Sequence, residues 1–141
     1  MDITEYILDL CEILNIKKPD ISFDTSNFQT KTMMAQCDIS GNTIYLKDVE
    51  ITPDYLLAIA HEMRHIWQIR TDKNLYFSSY KPIEKCNSIE EYNLQLAEVD
   101  ANAFAQIIMV NWFKLKPQWN GVNKKVIDSI TARIDYLTNN N

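Results

Sequence analysis

The chain contains only two histidines, His61 and His65, and they stand four residues apart in His61-Glu62-Met63-Arg64-His65. On a helix, side chains at i and i+4 project from one face, one turn above the other, so both imidazoles can reach a single cation. Zinc takes histidine nitrogens at roughly 2.0–2.1 Å, and a catalytic zinc keeps three protein ligands and one open position. Glu62 is rotated by about 100° around the helix from His61. That sets its carboxylate beside the cation rather than on it, where a base can take a proton from water. The chemistry implied is metal-assisted hydrolysis at one Zn2+ per chain.

A third ligand has to be a carboxylate or a thiolate, because no third histidine exists. Glu98 is the candidate, in Glu98-Val99-Asp100-Ala101-Asn102-Ala103-Phe104-Ala105, amid Leu94, Leu96, Ala97, Ile107 and Ile108. A carboxylate in such apolar company is costly unless it is paired or bound to metal. Asn102 lies one turn on and faces the same way, where its side-chain carbonyl can accept a ring N–H from a metal-bound histidine. Small Ala101 and Ala105 permit close approach to the histidine helix. Asp100 competes for the ligand role but points about 160° away from Glu98 around the helix. Glu91 shares the Glu98 face two turns earlier, where a capping role accounts for it.

The elements that must position these groups follow from periodicity. Ile3, Ile7, Leu8, Leu10, Cys11 and Leu14 repeat at helical spacing, so an amphipathic helix is predicted over 3–14, closed by Pro19. Short runs rich in Phe, Thr, Ile and Tyr follow to Lys47, with Ser40-Gly41-Asn42 between Thr32–Ile39 and Thr43–Leu46, a hairpin signal in a small antiparallel sheet. Thr52-Pro53 opens the histidine helix, which runs to about Arg70 with Leu56, Ile59, Ala60, Met63, Ile66 and Trp67 on its packed side. Ser88-Ile89-Glu90-Glu91 fits a capping box and predicts a long helix to about Phe113, with Pro117 just beyond. After Gly121 comes a last helix with Val126, Ile127, Ile130, Ile134 and Leu137 inward. The predicted architecture is α+β, one domain over 1–141: N-terminal helix, small antiparallel sheet, then three helices.

Hydrolysis also needs a donor for the negative charge that develops on the attacked oxygen. With no spare histidine, the candidates for that role or for substrate contact are Tyr76, Tyr80 and Arg64. Tyr76-Phe77-Ser78-Ser79-Tyr80 follows the histidine helix directly and is placed to form one rim of a cleft.

Composition narrows the field. With 46% hydrophobic and 23% charged residues, the 141-residue chain reads as globular, long enough to fold without disulfides or a structural metal. A net charge of −5 with scattered lysines disfavours nucleic acid as a partner. Cys11, Cys37 and Cys86 are odd in number and widely spaced, and read as reduced thiols. The sequence shows neither a secretory signal pattern nor an apolar run long enough for a membrane span, so a cytoplasmic protein without membrane contact is expected.

At the two motifs the chain resembles the ImmA/IrrE family of small metallopeptidases, which joins a His-Glu-x-x-His helix to a later Glu-x-x-Ala-Asn-x-Phe-Ala segment. The resemblance covers about residues 30–112 and includes the order of elements. Two positions depart from the pattern. Arg64 stands where the family usually has glycine or another small residue, and Val110 ends Ile107-Ile108-Met109-Val110 where the family has proline. The resemblance implies a zincin-like fold of gluzincin type, with His61, His65 and Glu98 on zinc and Glu62 as catalytic base. It further implies a cytoplasmic peptidase of a phage, mobile element or stress-response system that cleaves a partner repressor or regulator. The alternative is a catalytically silent zinc-containing module that binds a protein; a retained Glu62 favours the enzyme, since a purely structural site has no use for a base. A DNA-binding regulator is disfavoured by the acidic charge.

Overall fold

The computed structural model describes residues 1–78, 80–117, 119 and 121–139. The first helix, α1 (Ile3–Leu14), begins where the Asp2 carboxylate accepts the Thr4 N–H at 2.7 Å, and it buries Tyr6, Ile7, Leu10, Cys11 and Leu14. Asn15 ends it in the left-handed region (φ 55°), returning its N–H to carbonyls of the last turn. Termination therefore comes four residues before Pro19, because an asparagine can take that conformation and satisfy the helix end itself.

Three short strands follow: β1 (Asp20–Ser22), β2 (Ala35–Cys37) and β3 (Thr43–Leu46), ordered β1-β3-β2. The hairpin is present, with β2 antiparallel to β3 and Gln36 opposite Tyr45. The sheet is nevertheless mixed rather than antiparallel, since β1 runs parallel to β3 with Ile21 opposite Ile44. The long connection between them lets the chain return to the starting end, and strands of three residues carry too little alternation to fix direction. Gly41 in the hairpin turn has φ +75°, and a Cβ there would lie 2.9 Å from Ile69 Cγ2. Its carbonyl accepts Arg70 Nε at 2.8 Å, tying the turn to the end of the next helix.

That helix, α2 (Pro53–Thr71), starts with the Thr52 hydroxyl accepting the Tyr55 N–H and Pro53 in the first turn. Leu56, Ile59, Ala60, Met63 and Ile66 are buried against α1, the sheet and the long helix α5 (Leu96–Phe113), with Ile7, Leu10, Ile44, Leu46, Ala105 and Ile108 completing the core. A short helix α3 (Lys73–Phe77) and a single 3-10 turn (Ile83–Lys85) follow.

The helix predicted over 88–113 is two helices. The capping box forms as expected, Ser88 Oγ accepting the Glu91 N–H at 3.0 Å and Glu91 the Asn87 N–H at 2.7 Å. It opens only α4 (Ile89–Asn93), and α5 runs from Leu96 to Phe113. At the break Gln95 is extended, and its amide bonds both the N–H and the carbonyl of Lys81, at 2.6 and 2.9 Å. Those contacts to another segment draw the backbone out of the helix. Glu98 consequently sits in the first turn of α5, where the helix dipole favours a carboxylate. The last helix, α6 (Lys124–Asn139), packs Val126, Ile130, Ile134 and Leu137 on Val99 and Ala103 of α5, while Ile127 stays outside this cluster. Among the described residues the result is a mixed α+β fold of six α-helices and a three-stranded sheet. Among the described residues, no helix is long and apolar enough to cross a membrane.

Candidate metal centre

Helices α2 and α5 lie side by side and bring His61, His65 and Glu98 together, with one ligand atom of each within 4.8 Å of the others. His61 Nε2 is 3.1 Å from His65 Nε2 and 3.2 Å from Glu98 Oε1, and His65 Nε2 is 2.8 Å from Glu98 Oε2. Atoms bound tetrahedrally to one metal ion at about 2.0–2.1 Å lie about 3.3 Å apart, so the three separations suit a shared cation.

The hydrogen bonds behind the rings support the same assignment. His65 Nδ1 is 2.8 Å from Gln68 Oε1. That amide cannot be turned round, because its Nε2 donates to two acceptors, the Ala97 carbonyl at 3.0 Å and Asp100 Oδ2 at 2.9 Å. His65 Nδ1 is therefore the donor. His61 Nδ1 is 2.8 Å from Asn102 Oδ1 and donates in the same sense. A neutral ring that donates from Nδ1 carries a lone pair on Nε2. Two imidazole nitrogens and a carboxylate thus converge on one point, where His65 Nε2 and the buried Glu98 Oε2 lie 2.8 Å apart and share a proton when no metal is bound. A metal ion satisfies all three acceptors at once, which a single proton cannot.

The electrostatics point the same way. Burial opposes a charged His65 ring, but the Glu98 carboxylate and then Glu62 outweigh it and push its pKa up to about 9. Burial likewise would raise Glu98, and the two histidines reverse the shift and hold it well below the usual carboxylate range. The pocket is built to keep positive charge.

Glu62 stands beside this point. Its Oε2 is 3.6 Å from His61 Nε2, and its Oε1 accepts the Cys37 backbone N–H at 2.9 Å. Cys37 lies on the edge strand β2 at a position whose N–H is not used by β3, so the sheet fixes the carboxylate. The Cys37 thiol is raised well above its ordinary pKa by burial and by Glu62, which leaves it a poor nucleophile. All three cysteines are free thiols.

A cavity of about 480 Å³ opens over Glu62 and His65. Its walls include Met33, Tyr45, Tyr76, Phe77, Tyr80 and Tyr92. Tyr76 meets the His65 ring edge-on at 5.4 Å and stacks on Tyr80 at 4.8 Å, and the Tyr80 and Tyr92 hydroxyls are 3.2 Å apart. Burial raises all three phenols, Tyr80 to about 12, so each is a neutral donor near pH 7. The structure thus places Tyr76 and Tyr80 at the site and adds Tyr92, which sequence reasoning missed; Ser79 of the same segment lies outside the described residues.

Arg64 is not at the site. It is buried on the far side of α2, with Nε 2.7 Å from Asp100 Oδ2 and Nη2 3.1 Å from Oδ1, and its guanidinium covers the Trp67 ring at 3.8 Å. Being next to His65 in sequence puts it about 100° away around the helix. Asp100 is likewise turned from the metal point: burial would raise its pKa, but bonds from Arg64 and Gln68 and the charge of Arg133 hold it low. Gln68 was the other residue missed, since nothing in a lone glutamine marks it as a histidine's partner.

Compared with protein-family models, curated proteins and solved structures, the chain matches none.

Proposed function

We propose that the protein is a zinc-dependent metallopeptidase that hydrolyses a peptide bond in a partner protein. The reading rests above all on the convergence of His61 Nε2, His65 Nε2 and the Glu98 carboxylate, with both Nδ1 atoms held by amide oxygens, Glu62 fixed alongside and a cavity open above. Two imidazoles and a carboxylate make a zinc donor set, and His61, His65 and Glu98 hold the ion. Zinc, when bound, supplies the Lewis acid that polarises a carbonyl and acidifies water near neutral pH. Glu62 takes the proton of the attacking water on Oε2 while Cys37 N–H steadies Oε1, and returns it to the leaving amine. Tyr76, Tyr80 or Tyr92 donates to the oxygen that gains negative charge.

The cavity sets what is bound. Its walls combine aromatic Tyr45, Tyr76, Phe77, Tyr80 and Tyr92 with polar Asn27, Gln29, Gln36 and Asp38, and no lysine or arginine among the described residues lines it, so it takes a large uncharged side chain next to the scissile bond. The resemblance of the two motifs to those of ImmA/IrrE peptidases supports a regulator or repressor as substrate, and the sheet edge β2 beside the histidine helix suits a zincin-like reading.

The test is cleavage of candidate repressors encoded near the gene, with products identified by mass. Wild type should cut, and Glu62→Gln should retain zinc while losing about a hundredfold or more in rate, the scale of a general base. If both proteins bind such a partner equally and neither cuts it, the molecule is a zinc-containing binding module instead.

A further inference from the structure

Behind the metal point lies a buried cluster that the proposed hydrolysis does not use. Asp100, fully buried, accepts from three side chains on two other helices: Arg64 and Gln68 of α2, and Arg133 of α6, whose Nε and Nη2 lie 3.0 and 2.9 Å from Oδ1. Counting the individual contacts, this fills the roughly four lone-pair directions of a carboxylate, so Asp100 has one orientation. Gln68 is also fully buried and has one orientation, because both of its N–H groups end on acceptors.

Orientation of that amide decides which nitrogen of His65 carries the proton. With Oε1 toward the ring, Nδ1 donates and Nε2 is free to bind a metal. If the amide turned over, its NH₂ would face Nδ1, the ring would have to accept there, and the proton would move to Nε2, closing the ligand position. Asp100 prevents the turn by accepting from Nε2 of Gln68, and the two arginines prevent Asp100 from moving.

We propose that Gln68 and Arg133 are positioning residues of the metal site, and that the chain Arg133, Asp100, Gln68, His65 makes zinc affinity depend on the docking of α6. The inference rests on the metal site of the proposed function but not on peptide cleavage. Among the described residues Arg133 makes no hydrogen bond to a metal ligand, and its polar contact toward the site runs through Asp100 to Gln68.

The test is zinc affinity of the full chain, measured by competition with a chromophoric chelator, together with the His65 Nδ1–H proton signal of the zinc-loaded protein. Gln68→Met should weaken zinc by about ten- to a hundredfold, the usual scale for losing an orienting partner. Arg133→Met, at a side chain 21% exposed and so tolerant of change, should weaken it by about threefold or more and shift the His65 signal, with Arg133→Lys recovering part of both. Lys124→Met, which breaks the exposed pair with Asp128 on the same helix, should change neither. A role confined to fold stability would lower the denaturant midpoint alone. Arg133→Met with affinity within twofold of wild type and an unmoved His65 signal therefore overturns the proposal, whether or not Gln68→Met folds. Wild type that takes up no zinc defeats both this inference and the proposed function, whereas tight zinc in every variant defeats only this one.

Discussion

Helices α2 and α5 meet in two buried polar clusters that use the same kinds of group and arrive at opposite ends. On the far side, Asp100 of α5 faces Arg64 of α2 and Arg133 of α6, and donors face acceptors. On the cavity side, Glu98 faces His61 and His65, and three ligand atoms gather around a common point. The first arrangement is complete as it stands and holds three helices together. The second suits a cation, and the neutral amides of Asn102 and Gln68 behind it turn the Nε2 atoms toward the common point by accepting from Nδ1. Buried polar groups that satisfy one another speak for structure, and ligand atoms gathered around one point speak for a cation.

Removing each carboxylate separates the two most sharply. Asp100→Ala leaves two arginines that cannot shed their charge, and should cost about 3–5 kcal/mol of stability in the metal-free protein. Glu98→Ala leaves two imidazoles, which unlike guanidinium groups carry no obligatory charge, and should cost less than half as much by denaturant titration. Equal losses would mean that the cavity-side cluster is also a structural ion pair.

A smaller effect sharpens the comparison. Asn102→Ala should lower zinc affinity by about ten- to a hundredfold while changing metal-free stability by about 1 kcal/mol, the worth of one hydrogen bond. An unchanged affinity would show that the His61 ring needs no partner to aim it. The converse holds for zinc itself. At a free concentration a hundred times its dissociation constant it should stabilise wild type by about 2.7 kcal/mol, and Glu98→Ala hardly at all.

The cavity-side residues were legible because their geometry is local. His61 and His65 are one helical turn apart, as are Glu98 and Asn102, so periodicity alone puts each pair on one face. The far-side cluster was not, because it is assembled by packing. Gln68 gains its meaning only when Ala97 and Asp100 of another helix arrive beside it, and Arg64 is drawn away from the site by an aspartate 36 positions later. The elements divide along the same line. Helices with strong apolar spacing appeared where expected, α1 over Ile3–Leu14 among them. The direction of β1 and the break at Gln95 depend on partners distant in sequence, Ile44 for the one and Lys81 for the other.

The most direct measurement is a zinc titration of chelator-stripped protein by calorimetry, with metal content checked on the product. One equivalent per chain is expected for wild type and for Asp128→Asn, at an exposed residue of α6, and none with comparable affinity for Glu98→Ala. Wild type that binds no zinc, or Glu98→Ala that binds it as tightly as wild type, would contradict a metal site built from His61, His65 and Glu98.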